Sequence, residues 1–156
     1  MNETIRNELI LLLNIDSVKP DEQIKILSIC SAFLSSKPYN DELKKLLNPI
    51  FNQPDGFDIG SEFARLIINI LNLNQQCTYY KVVGNEKLKY IIYGIIYNFL
   101  LREQLDFLNG QNLGTIRLLY CNAWDLLSFD INKLKIIKET CIACCGLFGS
   151  SNKIII

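Results

Sequence analysis

The chain contains no histidine. That absence removes Ser-His-Asp triads, Cys-His dyads, histidine metal sites and the usual neutral-pH proton shuttle. Net charge is also missing: 16 basic residues balance 16 acidic ones. A chain without a net field is a poor general binder of nucleic acid or anionic lipid. Neither a GxxxxGK[ST] phosphate loop nor a GxGxxG fingerprint is present, so no cofactor is expected. Charged residues make up only 21% of the sequence, and the lysines are scattered, as on solvated helix faces.

Apolar residues, by contrast, are plentiful at 49% of 156 residues, enough for one domain with its own core. The chain is organised around Leu88 to Leu108, LKYIIYGIIYNFLLREQLDFL. Leu88, Ile91, Ile92, Ile95 and Phe99 would share one helical face, and Tyr90, Tyr93, Tyr97 and Leu101 the other. A helix that is apolar all round must be surrounded. Its apolar run of roughly 12 residues falls short of the ~20 that span a bilayer, and Lys87, Lys89 and Arg102 bound it. A central buried helix over about 85–108 is therefore expected, with a sheet strand as the alternative.

The rest reads as helices joined by short loops. A stripe of Ile5, Leu9, Leu12 and Leu13 predicts a helix over about 3–14, capped by Asn2. Pro20 at a first helical position opens a second helix to about Ser35, and Lys37-Pro38 is expected to end it. Asn40 is the expected cap of a third helix carrying Leu43, Leu46, Leu47 and Ile50, which Pro49 should kink or stop. Asn52 to Gly56 is a loop signal, and Asp58 is placed to cap a fourth helix. Further helices are expected over Leu113–Leu127 and from Asp130 to about Leu147. The fold class is all-α: a single-domain bundle of about seven helices, with residues 1–148 as the domain and 149–156 as a short tail. A short strand over 77–83, pairing with Ile154, Ile155 and Ile156, is a minor alternative.

Chemistry-bearing candidates are few. Asp55 to Glu62, DGFDIGSE, fails as a calcium loop because Phe57 and Ile59 occupy ligand positions. Cys141, Cys144 and Cys145 are the sharpest cluster, but three thiolates fall short of a closed zinc site. They share an inward helical face with Leu134, Ile137 and Phe148, so packing as small hydrophobes is the leading reading, with metal binding or lipidation as alternatives. The first residues, MNETIRNELILLL, do not read as an export signal, so a cytoplasmic location, in a bacterium or a host cell, and free thiols are expected.

Gly110-Gln111-Asn112-Leu113-Gly114-Thr115-Ile116 resembles the Gly-x-Asn-Trp-Gly-Arg-Ile signature of the Bcl-2 family. The resemblance covers seven positions. It implies an all-α bundle that holds a partner helix in an apolar groove, and it points to Asn112 and Gly114 as interaction residues. Leu113 replaces the family's Trp and Thr115 replaces its Arg; Arg117 stands elsewhere on the helix and is a further interaction candidate. Trp124 is a further candidate anchor at an interface.

By subtraction, the expected function is a non-enzymatic protein–protein interaction module: an inhibitor, an immunity-type protein, a regulator or an assembly subunit. Its partner is another protein or a second copy of the chain, with no nucleic acid and no transmembrane segment. The alternatives are a groove for a partner helix or apolar ligand, and an enzyme using carboxylates or cysteine.

Overall fold

The computed structural model describes residues 1–54, 58–75 and 85–127. Among them the architecture is all-α, with seven helices: α1 Glu3–Ile15, α2 Pro20–Ser35, α3 Lys37–Phe51, α4 Ile59–Gln75, α5 Asn85–Glu103, α6 Leu105–Asn109 and α7 Leu113–Leu127. The sequence-expected helix over 130–147, the strand over 77–83 and the tail all lie outside the described residues. The count is reached instead through α6, a short helix not foreseen in the sequence.

At its start α1 follows expectation: the Asn2 side chain accepts the Thr4 N–H at 2.7 Å. Its C-terminus turns through Ser17, which adopts a left-handed φ of 56°. The Ser17 N–H then reaches the Asn14 carbonyl, and the Val18 N–H reaches Leu13. This is the paired-bond helix stop in which glycine usually occupies the left-handed position. Gln23 of α2 donates to both the Asn14 side chain and the Val18 carbonyl, tying the next helix to this stop.

The α2–α3 corner corrects one expectation. Lys37 and Pro38 do follow the end of α2, but they already form the first turn of α3, where a missing N–H costs nothing. Ser36 is the cap, its hydroxyl accepting from the Tyr39 N–H. Asn40 lies inside the helix, and its side-chain amide donates to the carbonyls of Leu34 and Ser36, closing the end of α2. Pro49 sits in the last turn of α3, and the helix stops at Phe51.

Ten consecutive residues of α5, Ile91 to Leu100, are buried. α5 packs against α1, α2, α3, α4 and α6, which makes it the axle of the bundle. Each fully buried Ile or Leu contributes roughly 2 kcal/mol, against about 0–1 for an exposed ion pair, so this helix and not the surface charge network dominates stability. Gly94 is required by close approach: a Cβ there would lie 2.5 Å from the Cys30 sulfur of α2. Burial pushes the Cys30 thiol up to about 12, which leaves it as a small hydrophobe.

The expected helix over 85–108 is broken once. Gln104, at φ −136° and ψ 43°, leaves helical geometry, and α6 restarts at Leu105. The break turns Phe107 onto Phe51, with ring centroids 5.7 Å apart, and buries Leu108. Elsewhere, the buried Tyr39 hydroxyl donates to Asn74, joining α3 to α4. No helix among the described residues is long and apolar enough to cross a membrane.

Candidate interaction face

α1 and α7 both flank the tyrosine-bearing side of α5. Glu8, near the start of α1, accepts from the Tyr93 hydroxyl of α5 at 2.7 Å and from Arg117 of α7 at 2.5 Å. Further along α1, Asp16 accepts from Lys89 at 2.8 Å and from Tyr90 at 3.0 Å. The Tyr120 hydroxyl of α7 donates to the Lys89 carbonyl, and its ring stands 4.9 Å from that of Tyr93. Passing from Tyr93 back to Lys89 on α5 therefore runs forward on both α1 and α7. The outer helices are parallel to each other and antiparallel to α5.

The titratable groups here are held away from neutral-pH chemistry. Burial, then the hydrogen bond to Glu8, raises Tyr93. Burial, then the Asp16 hydrogen bond, raises Tyr90. Burial also raises the Cys121 thiol against the opposing pull of Lys89, so it stays protonated at pH 7. Burial works to lower Lys89, but its hydrogen bond to Asp16 and the charge of that carboxylate outweigh this, and the net shift is upward. The cluster thus reads as bracing: two charge pairs and three phenols holding α1 and α7 against α5. No group of three or more His, Cys, Asp or Glu among the described residues is placed to hold a metal ion.

Around this bracing the face is apolar. Leu11 and Ile15 follow Glu8 by three and seven positions, so they lie on the flank of α1 that turns toward α7. Both are exposed, Ile15 at 62%. On α7 the core side is occupied by Ile116, Tyr120, Ala123 and Trp124. Leu118 and Leu126 project away from it, 61% and 77% exposed. They are eight residues apart, about 12 Å along the helix axis, and Leu126, about half a turn around the helix from Arg117, lies on the flank away from α1. Of the exposed residues between and beside them, Thr115 and Asn122 are uncharged and Asp125 is acidic.

Asn112 caps α7, its side chain accepting the Thr115 N–H at 3.2 Å. Gly114 is exposed in the first turn, with Asn112 Oδ1 3.0 Å from where a Cβ would stand. Arg117 is engaged with Glu8 within the chain, and Trp124 packs in the core. The structure therefore brings Gly114 and Arg117 to the edge of the face and turns Trp124 inward. Cys141, Cys144 and Cys145 lie outside the described residues. Leu11, Ile15, Leu118 and Leu126 were not singled out in the sequence. The available signal was their position off the core stripe of an otherwise regular amphipathic helix. Comparison with family profiles, with curated proteins and with solved structures finds no match.

Proposed function

We propose that the chain is a protein–protein interaction module that takes an apolar segment of a partner on the outward side of α7. The supporting observation is that Leu118 and Leu126 are left 61% and 77% exposed on a helix whose core side is already filled. A partner helix with apolar residues at i, i+3 and i+4 could cover them. With no net charge to steer encounter, recognition here rests on apolar fit.

The test pairs Leu118→Glu and Leu126→Glu in one variant. Sedimentation velocity of the wild-type chain and this variant reports self-association. Affinity capture from the native cell extract, followed by reconstitution with the purified partner, reports a heterologous complex. The reading predicts that one of the two is lost in the variant while the helical signal is retained. Identical native mass and identical reconstituted complexes in both proteins would refute it.

A further inference from the structure

α7 carries apolar side chains on two sides, and the described helices cover only one of them. Ile116, Tyr120, Ala123 and Trp124 fill the core side. Leu118 and Leu126 project outward, and the half-buried Leu119 lies at the margin between the two sides. At about 100° per residue these three leucines fall within roughly a third of the helix circumference, with Thr115 and Asn122 among them. A helix with one packed neighbour needs one apolar stripe, and a second stripe calls for a second neighbour.

The chain supplies a segment of matching pattern directly after α7. It lies outside the described residues, and its sequence is that of the amphipathic helix expected from Asp130 onward. Leu134, Ile137, Cys141, Cys144 and Phe148 recur at intervals of three and four, which makes one continuous stripe, while Lys135 and Glu139 fall on the opposite side. Cysteine is small, so this stripe is low where the leucines of α7 stand tall, and such alternation lets two helices interlock. Only Ser128 and Phe129 separate Leu127 from Asp130. So short a connection favours antiparallel neighbours and costs little chain entropy. A second copy or a foreign helix must give up free translation and rotation to reach the same leucines. The tethered segment meets them at an effective concentration on the order of mM.

We infer that residues 130–148 of the same chain occupy the outward side of α7 in the free protein, antiparallel to it, with Leu134 toward Leu126 and Cys141 toward Leu118. A partner helix then competes with this cover, and the segment regulates access to the site. The competition rests on the reading of this side as a partner site; the cover itself does not. Cys141 and Cys144 become reporters of whether the cover is closed.

The experiment is alkylation of the full chain with N-ethylmaleimide, read at each cysteine by peptide mass spectrometry and repeated at two protein concentrations. Cys141 and Cys144 are expected to react at least tenfold more slowly in the native chain than in urea, equally at both concentrations. In the variant Leu118→Glu, Leu126→Glu they should react at the unfolded rate, while Cys30, packed against Gly94, stays protected and shows that the bundle is intact. A second variant, Leu118→Cys, alters one exposed side chain and should form an intrachain disulfide with Cys141 on mild oxidation. Unfolded-rate alkylation in the wild type, protection that survives both glutamates, or no such disulfide would each overturn the cover. Protection lost on dilution would overturn it too, in favour of a second copy. Open thiols in a chain that still captures a partner sink the cover and leave the partner site standing; closed thiols in a chain with no partner do the reverse.

Discussion

Glu8 and Arg117 stand 109 positions apart in the chain, yet their side chains meet at 2.5 Å, with Glu8 only 7% exposed. This pair closes the bundle, because it links the first helix to the last described one across α5. Removing one partner of a buried pair leaves an uncompensated charge, whereas replacing both with apolar groups often does not.

Arg117→Met is therefore expected to destabilise the fold by roughly 3 kcal/mol, the low end for a broken buried pair because Tyr93 still donates to Glu8. The double variant Glu8→Leu, Arg117→Met should recover most of that loss. Urea unfolding of the two variants and of Glu8→Leu completes the cycle. Equal losses in the single and double variants would show that the pair contributes through packing alone.

Gly94→Ala sets two effects against each other. Alanine improves helix propensity by about 1 kcal/mol, but its Cβ meets the Cys30 sulfur at 2.5 Å. Overpacking in a filled core costs roughly 1–3 kcal/mol, and the sulfur has no room to retreat at 0% exposure. Net destabilisation is expected. Cys30→Ala in the same chain should make the Gly94 substitution neutral or favourable, as read by thermal unfolding.

Ser17→Gly should stabilise the chain by about 0.5–1 kcal/mol, because Ser17 holds a left-handed φ of 56° that glycine adopts without a steric penalty. Ser17→Val should do the reverse, more strongly. Chemical denaturation of both variants checks the order; a Gly variant less stable than the wild type would contradict it.

Stability should fall steeply on the alkaline side. Burial raises the phenols of Tyr90, Tyr93 and Tyr120, helped by Asp16 at Tyr90 and by Glu8 at Tyr93, and the net shift of Lys89 is also upward. A raised group binds its proton more tightly in the folded state. Its stabilisation is complete below the unfolded value of about 10 and is lost as pH rises above it. Circular dichroism against pH should show unfolding coupled to phenolate absorbance, beginning near pH 10. Phenolate formation without loss of helix would mean these hydroxyls titrate freely.

Much of the fold was legible because local signals agreed with one another. Pro20, Asp21 and Glu22 marked the start of α2, and the stripe through Ile116, Tyr120 and Ala123 carried the bounds of α7. Two boundaries were missed where one residue had two readings. Pro38 looked like a stop for α2 and proved to be a start for α3, because a helix tolerates proline in its first turn. The break at Gln104 carried no local signal. It follows from Phe107 packing on Phe51, a contact made only in the folded chain. The candidate face was hidden for the same reason. Nothing near Glu8 announces that Arg117 will neutralise it, and leucines such as Leu118 become informative only once the core side of α7 is known.

Ser36, extended in backbone, is the single residue between α2 and α3, closing the first helix and capping the second. With Asn40 stitched back to Leu34 and Ser36, this corner behaves as a weld and not as a hinge. Any displacement of that end of α2 would be levered directly into α3, toward the contact where Tyr39 grips Asn74.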